Sequence, residues 1–357
     1  MNTGTTSPAE AVPALTADRT VHRGLVHKRA VEQVLTTAVA ESGGRLLGTA
    51  QLPRLHRHYN DTCAPYHDLL LVGEAARQTV EAIVHDLLHV PLDRRFVIGD
   101  LGIAFTGLDA VRIGPAPADL LVELDIDRLR RRRDGSVRSL RGTATCRIDG
   151  RDAALFTGTL RFLEGDSYDD LRAGSTRPPA PGTGEAPPRC APSAVGRTDP
   201  RNVVIGGLRT ERPGGDERPQ EHEPDAEPAA ESADGFVADI VADPQDPVFY
   251  DHPLDHLPGM LLMEAARQTA LAVCARIRGV PAGALLATAC RARFLAFAEQ
   301  SAPVRCRARP TGPRTVAVTV EQRGEPAAEL EITIEAVPGA EPAACAPTPT
   351  APAGGAR

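Results

Sequence analysis

Residues 251–270 read DHPLDHLPGMLLMEAARQTA, and this stretch decides the fold that the rest of the chain must adopt. A turn-like segment rich in histidine and aspartate passes through Pro258-Gly259 and enters an apolar helix. That helix carries Glu264, Arg267 and Gln268. Charged groups on an apolar helix are costly to bury without a partner or a function. The stretch therefore predicts a buried helix with a functional site near its start.

The core of this stretch occurs a second time, further upstream. EAARQT stands at 74–79 and again at 264–269, and the alignment continues upstream without a gap. In that register, residues 59–61 (YND) fall on residues 249–251 (FYD). A six-residue identity with an ungapped context indicates a duplication, so we interpret the chain as two homologous halves.

Each half contains one long helix and several strands. Apolar residues repeat at helical spacing over 68–89 in the first half and over 259–278 in the second. Residues 21–37 favour a strand that enters a short helix. The strand candidates of the first half are 44–55, 96–105, 119–127, 137–148 and 153–163, and those of the second are 203–205, 236–242, 285–297, 304–309, 315–322 and 328–336. This pattern predicts an α+β fold in which an antiparallel sheet wraps around a buried helix in each half.

Proline- and glycine-rich segments mark the domain boundaries. We expect a first domain at 20–165, a linker at 166–195 and a second domain at 196–338. A Pro/Glu/Gly-rich insert at 211–231 buries too little apolar surface to fold alone, and 1–19 and 339–357 are predicted to be disordered tails.

Composition excludes several classes of function. The net charge of −7 and the pI near 5.8 give no general attraction to nucleic acid, and no apolar run is long enough to span a bilayer. Residues 1–20 lack a basic-then-apolar signal pattern, which favours a cytoplasmic protein. No cysteine pair has the spacing of a zinc site, and no GxGxxG, P-loop or serine-triad motif occurs, so we expect neither a metal nor a cofactor.

The large number of arginines does not by itself indicate a function. Lys28 is the only lysine, and alanine, proline and glycine are abundant, which is typical of GC-rich coding. One basic run, 128–138, lies between two strand candidates beside Asp134-Gly135. It is predicted to be a solvated hairpin end, with binding to an acidic partner as the alternative.

Two known families share these motifs. The PGMLLMEA segment at 258–265 resembles the hotdog fold of the beta-hydroxyacyl-carrier-protein dehydratases, in which a PG turn opens the central helix and a catalytic glutamate follows six residues after the proline. The longer match is to the A-factor synthase family of tandem hotdog proteins. It rests on FYDHPLDHLPGMLLMEAARQ together with VHK at 26–28, PRLH at 53–56 and GEAARQ at 73–78.

This resemblance implies a tandem hotdog fold and a specific reaction. The expected activity is transfer of a beta-ketoacyl chain from acyl carrier protein to the hydroxyl of dihydroxyacetone phosphate, for gamma-butyrolactone signal biosynthesis. The implied partners are the beta-ketoacyl carrier protein and dihydroxyacetone phosphate. Two fused hotdog units should satisfy each other as a pseudo-dimer, so either a monomer or a homodimer is expected.

The second-half helix supplies most of the candidate site residues. Glu264, if desolvated, would have a raised pKa and could take a proton from an attacking hydroxyl, although an internal salt bridge with Arg267 is the structural alternative. Arg267 could also hold a phosphate. Gln268 could donate to a substrate carbonyl or satisfy a neighbouring strand. The N–H groups after Pro258, including that of Gly259, could polarise a thioester carbonyl, or Pro258-Gly259 could simply initiate the helix.

The turn and the first half add further candidates. His252 is a candidate catalytic residue, although its spacing to Glu264 differs by two residues from the dehydratase pattern and His256 is equally available. We place Asp251 with the substrate-binding residues. Glu74, as a second catalytic candidate, stands with Arg77 and Gln78 in the first half, which lacks the PG turn. We therefore expect the first half to hold a modified site for the phosphate acceptor and the second half to hold the acyl thioester.

Two other functions remain open at the level of sequence. The same fold could catalyse dehydration or thioester hydrolysis, the latter needing only water as acceptor. The chain could also be a non-catalytic module that binds acyl carriers or lactones in a regulatory circuit.

Overall fold

A computed structural model describes residues 15–175, 187–211, 235–241 and 243–339. Twelve strands form one antiparallel sheet in the order β1-β2-β4-β5-β6-β3-β9-β12-β11-β10-β8-β7. Those of the first half are β1 Thr36–Ser42, β2 Arg45–Leu52, β3 Arg95–Phe105, β4 Ala118–Arg131, β5 Val137–Ile148 and β6 Arg151–Leu163. Those of the second half are β7 Ile205–Glu211, β8 Gly235–Ile240, β9 Leu285–Phe294, β10 Val304–Pro310, β11 Thr315–Gln322 and β12 Glu325–Ala336.

The two halves repeat the same strand order and meet at one antiparallel pair. β3 pairs with β9, and Leu101 lies opposite Ala292 while Gly102 lies opposite Arg291. Because equivalent residues of the halves lie 190 positions apart, this register is self-complementary, as expected at a two-fold axis. The structure thus has the geometry of a hotdog dimer within a single chain.

One long helix lies against the sheet in each half. Helix α1 spans Leu69–Asp86, and α3 spans Gly259–Arg278. Asp68 caps the start of α1, since its Oδ1 accepts a hydrogen bond from the Leu70 N–H at 2.8 Å. Gly279 ends α3 with φ of 63°, a conformation that glycine adopts without strain. The predicted α3 bounds are confirmed, and the predicted helix at 68–89 is confirmed with slightly shorter ends.

Several local predictions were wrong. Residues 21–37 form two 3₁₀ turns, Arg23–Val26 and Val31–Gln33, and then enter β1, in place of a strand followed by a helix. The strand expected at 203–205 begins at Ile205 and continues to Glu211, into the predicted insert. The rest of that insert, and the predicted tails apart from residues 15–19 and 339, lie outside the described residues.

The predicted linker starts with a helix that the sequence did not reveal. Helix α2 spans Gly165–Ser175, and its Arg172 bonds to Asp255 at 2.9 Å and to Glu299 at 2.7 Å. Because these partners belong to the second half, the helix depends on contacts distant in sequence. Residues 176–186 of the linker are outside the described part of the chain.

The basic run at 128–138 and the apolar helices also bear on the sequence-based predictions. The basic run forms the end of the β4–β5 hairpin, with Asp134-Gly135 at its turn, which confirms the hairpin. Among the described residues, no helix is both long and apolar enough to cross a membrane.

Candidate active site

Glu74 on α1 is the centre of a buried ionic cluster. Arg77 donates two hydrogen bonds to its carboxylate, from Nε at 2.9 Å and from Nη2 at 2.8 Å. Lys28 Nζ lies 3.0 Å from Glu74 Oε1, and Gln78 Nε2 donates to the same oxygen at 2.9 Å. Arg77 also pairs with Glu81 one turn further along the helix. Two cations and two carboxylates are thus held together within the first half.

Lys28 reaches Glu74 from a loop that the second half fixes. His27 has φ of 53°, so the chain reverses just before Lys28. The next two backbone N–H groups, those of Arg29 and Ala30, donate to the carboxylate of Asp251 at 2.5 and 2.8 Å. Asp251, predicted to bind substrate, therefore positions the Lys28 loop.

A cavity of about 460 Å³ lies beside the Glu74 cluster, and both halves line it. The first half contributes Lys28, Glu74 and Arg77. The second half contributes His252 and the Pro258-Gly259 start of α3. The site is therefore composite: the glutamate comes from one half and the helix mouth from the other.

The start of α3 brings backbone N–H donors to the edge of this cavity. Pro258 occupies the capping position and offers no side-chain hydrogen bond. The N–H groups of Gly259 and Met260 precede the first intrahelical bond and have no partner within the helix. Gly259 packs closely against Phe294, since an added Cβ would lie 3.2 Å from its ring. An oxygen that carries negative charge fits such a helix start.

Glu264 has an equivalent cluster but is closed off from solvent. Arg267 donates to its carboxylate at 2.8 and 2.7 Å, and Gln268 Nε2 donates at 2.5 Å. Arg197 takes the place of Lys28 and donates to Glu264 Oε1 at 2.8 Å. Glu264 has 0% of its surface exposed.

The start of α1 fills the space that the cavity occupies on the other side. Asp68 stands where Pro258 stands in the second half, and its Oδ2 lies 3.4 Å from Arg197 and 3.8 Å from Arg267. Arg197 also donates to the backbone oxygen of Tyr59 at 3.0 Å. Only a small void of about 20 Å³ remains beside Arg267. The Glu264 cluster therefore joins the two halves and has no room for a substrate.

Neither glutamate has the raised pKa expected of a general base. Burial alone would raise the pKa of Glu264, but the charges of Arg197 and Arg267 outweigh it and hold the pKa well below its usual range. Burial is likewise outweighed at Glu74, where Arg77 and Lys28 lower the pKa. The prediction of a raised pKa for Glu264 was wrong because sequence showed Arg267 but not Arg197. Both groups are carboxylates at neutral pH.

A pair of histidines beside the cavity has a defined arrangement of protons. His85 Nδ1 lies 2.7 Å from the carbonyl oxygen of Val90, so it must carry a proton and donate it. Neutral His85 then accepts at Nε2, which lies 2.9 Å from His27 Nε2. His27 therefore donates from Nε2 and keeps a lone pair on Nδ1. Burial, then the nearby charges of Arg77, His252 and Arg95, lower the pKa of His27 to about 4.

The two histidines of the turn also reach the cavity. His252 Nδ1 lies 3.4 Å from Asp251 Oδ2, and the side chain is about one-third exposed, at 34%. His256 Nδ1 lies 2.6 Å from Asp255 and its ring packs against Phe297. Both line the same cavity as Glu74, not the Glu264 cluster.

Both glutamines have a structural role, which was the predicted alternative for Gln268 but was not predicted for Gln78. Gln78 donates to the Gln33 carbonyl at 2.9 Å and accepts from the Leu35 N–H at 2.8 Å. Gln268 makes the equivalent contacts with Asn202 and Val204. Each glutamine thus ties its helix to the segment before the first strand of its half.

The structure separates the predicted site residues into two groups. Glu74, Arg77, His252 and Gly259 face the large cavity, whereas Glu264, Arg267 and Gln268 belong to the closed cluster. Sequence reasoning did not select Lys28, His27 or Arg197 as site residues. The single lysine of an arginine-rich chain was a usable signal for Lys28. No such signal existed for Arg197. Its separation in sequence from Lys28 differs from the separation between equivalent residues of the two helices.

Among the described residues, no group of three or more histidine, cysteine, aspartate or glutamate side chains is arranged to hold a metal ion. The cavity is instead lined by ionic, helix-terminal and imidazole groups, which suit the binding of a polar organic substrate.

Comparison with known proteins gives a consistent set of relatives. The family model described as "A-factor biosynthesis hotdog domain" matches residues 10–164 and 183–338. A protein of Streptomyces virginiae named 2-oxo-3-(phosphooxy)propyl 3-oxoalkanoate synthase is 31% identical over 309 residues, covering 85% of this chain and 93% of the relative. A protein of the same name from Streptomyces coelicolor is 30% identical, covering 85% of this chain and 88% of the relative.

Solved structures with similar folds are more distant in sequence. The 12:0-ACP thioesterase of Umbellularia californica has a TM-score of 0.46 and 12% identity, covering 81% of this chain and 97% of that one. A dehydratase domain of the rifamycin polyketide synthase has a TM-score of 0.42 and 16% identity, covering 84% of this chain and 95% of that one.

Proposed function

Because the chain belongs to the A-factor biosynthesis hotdog family, we propose that it transfers a beta-ketoacyl chain from acyl carrier protein to the hydroxyl of dihydroxyacetone phosphate. The relatives' name, 2-oxo-3-(phosphooxy)propyl 3-oxoalkanoate synthase, describes the ester that this reaction forms. The structural observation that best supports the proposal is the composite cavity, where the Glu74 cluster faces the uncapped start of α3.

The acyl thioester is assigned to the start of α3. Its carbonyl oxygen accepts from the N–H groups of Gly259 and Met260, which stabilise the negative charge that develops when the carbonyl carbon is attacked. The thioester position agrees with the sequence-based expectation, but the glutamate beside it is Glu74 in place of Glu264.

The phosphate of the acceptor is assigned to the cationic side of the cavity. Glu74 and Glu81 neutralise much of the charge of Lys28 and Arg77. Burial raises the pKa of Glu81, which favours its neutral form and so leaves the cluster more positive. Arg95 lines the rim and makes no ion pair within the described part of the chain, so it brings an uncompensated positive charge. A phosphate dianion matches this arrangement.

His27 is assigned as the proton acceptor: with its pKa lowered to about 4 it is a weak base, but its Nδ1 is unprotonated at neutral pH and its ring lines the cavity. In the transfer, the acceptor hydroxyl oxygen forms a bond to the thioester carbonyl carbon and its proton moves to His27 Nδ1. The tetrahedral adduct then expels the carrier thiolate by breaking the carbon–sulfur bond, and His27 returns the proton to that sulfur. Glu74 is a positioning residue in this scheme, because it holds Lys28 and Arg77 in place. No oxidant, reductant or additional reactant is needed.

The direct test is incubation of the protein with a beta-ketoacyl carrier protein and dihydroxyacetone phosphate, followed by mass spectrometry of the products. We expect a phosphorylated ester and free carrier thiol in equal amounts. Release of free acid that is independent of added acceptor would instead identify a thioesterase. Consumption of no thioester at all would contradict an enzymatic role and leave a binding module.

Paired variants separate the two clusters. We expect Glu74→Gln to abolish most ester formation, whereas Glu264→Gln, if folded, should retain the chemistry because its cluster has no room for substrate. The reverse pattern would assign the reaction to the Glu264 cluster.

A further inference from the structure

The outer face of the first half carries arginines that oppose one another. Arg128 on β4 lies directly opposite Arg141 on β5, and Arg130 lies opposite Ser139, which in turn lies opposite Arg161 on β6. All four arginines are exposed. Like charges that face each other across strands destabilise a sheet. This arrangement therefore has a cost that folding alone does not explain.

These charges have no ion-pair partner among the described residues. In the portion of the chain that the structure describes, none of the four arginines forms an ion pair, in contrast to Arg147 on the same strand pair, which bonds to Glu123 at 2.9 Å. The cluster of Arg128, Arg130, Arg141 and Arg161 is referred to below as the arginine face.

The second half provides an internal control. On its strands Arg293 pairs with Glu329 at 2.5 Å, Arg307 with Glu321 at 2.5 Å and Arg305 with Asp239 at 3.1 Å. A coding bias towards arginine would affect both halves equally. What distinguishes the arginine face is that its four arginines form no ion pair among the described residues, which composition does not explain.

The arginine face lies on the outer side of the sheet, and Arg95 connects it to the composite cavity. Arg161 is paired with Val97 on β3, whereas the neighbours of Val97, Phe96 and Ile98, point to the opposite face and line the cavity. Arg95 lies two residues before Val97 and also lines the cavity. An acidic partner on the outer face would therefore meet the cavity around the end of β3, at Arg95.

We propose that the arginine face docks the acidic carrier protein that delivers the acyl thioester. The proposal rests on the proposed function, since it assumes a carrier-bound substrate. The net charge of −7 makes a localised positive patch a selective attraction for an acidic protein surface. Nucleic acid fits less well, because the four positions are interleaved with serine and threonine and no aromatic side chain is present for base stacking.

The test compares two substrates with the same acyl group, one on the carrier protein and one on N-acetylcysteamine. For the double variant Arg128→Glu/Arg141→Glu, we expect the KM for the carrier-bound substrate to rise at least about tenfold, with kcat nearly unchanged. The KM for the small thioester should stay within about twofold. The control is Arg309→Glu/Arg314→Glu, which makes the same charge change on strands and turns of the second half.

A binding measurement separates this proposal from the proposed reaction. Calorimetric titration of the carrier protein needs no catalysis, and we expect binding by the wild type that weakens in the double variant and at high salt. Failure of the wild type to bind the carrier, unchanged binding by the variant, or equal loss with both substrates would each overturn the docking role. Displacement of the bound carrier by an oligonucleotide would also overturn the docking role.

Folding of the variant can be checked with a single substitution. Arg128→Glu replaces a like-charge pair with an opposite-charge pair opposite Arg141, so its Tm should equal or exceed that of the wild type. If Arg128→Glu binds the carrier more weakly while its Tm is undiminished, misfolding is not the cause of the weaker binding.

Discussion

Glu74 and Glu264 occupy equivalent positions on the two helices, but their surroundings give them different roles. Each receives hydrogen bonds from an arginine and a glutamine, which lie three and four residues further along its helix. The second cation distinguishes them, since Lys28 borders a cavity whereas Arg197 is packed between Glu264 and Asp68. At this scale a single cation determines whether the glutamate faces a site or fastens the two halves together.

This difference predicts that the same Glu→Gln substitution destabilises the protein more at position 264 than at position 74. Glu264→Gln should lower the free energy of unfolding by about 3 to 5 kcal/mol, because it leaves Arg197 and Arg267 charged and buried without their main partner. Glu74→Gln should cost less, about 1 to 2 kcal/mol, because Lys28 and Arg77 border the cavity and Arg77 keeps Glu81. Urea denaturation of both variants measures this, and equal losses would contradict it.

A second prediction concerns His27, which combines a left-handed backbone with a free Nδ1. Asparagine tolerates that backbone, so His27→Asn removes the imidazole with little strain. We expect kcat to fall by about 100- to 10,000-fold while the KM for either substrate changes little. His85→Gln should lower kcat less, because it only removes the group that fixes the His27 proton. A kcat for His27→Asn near that of the wild type would exclude His27 as the proton acceptor.

At the scale of elements, the starts of the two helices explain the division of roles. Helix α1 begins with Asp68, whose carboxylate caps the helix and contacts the cations of the other half. Helix α3 begins with Pro258, which leaves its first N–H groups for a ligand. Capping favours stability, and its absence creates a binding site.

Exchange of the capping residue tests this contrast. Pro258→Asp introduces the residue found at the equivalent position 68, so it should stabilise α3 by about 1 kcal/mol or leave its stability unchanged. Its carboxylate would occupy the donors assigned to the thioester, so activity should fall at least about tenfold. Pro258→Ala is the matched control, because it frees the same position without adding an acceptor. Full activity of the Pro258→Asp variant would contradict the assignment of the thioester to the start of α3.

Most of these elements were predictable, and two of the exceptions, α2 and the position of Arg197, share one cause. Local periodicity was enough for α1, α3 and the long hairpins, since each pattern lies within one segment. Helix α2 was missed because Arg172 is held by residues of the second half. Arg197 was missed for the same reason, and with it the low pKa of Glu264. Sequence identified the two helices that carry the glutamates, but not which cation from elsewhere lies against each of them.

For the whole molecule, the continuous sheet and the shared core make the two halves one structure. The β3–β9 pair joins the sheets, and one cluster of buried apolar side chains extends through both halves. Several histidines lie within this structure in neutral form. Burial is the largest cause that lowers the pKa of each to about 4, for His27, His56 and His67.

Stability should therefore decrease as the pH falls from about 6.5 to about 4. In that range the unfolded chain binds protons at histidines whose ordinary pKa is 6.5, whereas the folded chain does not, so protonation favours unfolding. Above pH 6.5 these groups are neutral in both states and contribute no dependence. Below pH 4 the lowered pKa of Glu264 adds a further loss in the same direction.

Urea midpoints measured between pH 7.5 and pH 4.5 test this expectation. His67→Asn should give a shallower slope, because it removes one of the titrating groups while keeping a neutral polar side chain. A midpoint that stays constant across this range would show that the histidines are not held neutral.

The self-complementary β3–β9 register has a genetic consequence. In an assembly of two identical subunits, one codon specifies both copies of every residue, so a mutation that closes one site closes its twin. Once the two copies are joined in a single gene, each position can mutate separately. Asp68 and Pro258, or Lys28 and Arg197, are then free to differ, and one site can be converted into a structural contact while the other is retained.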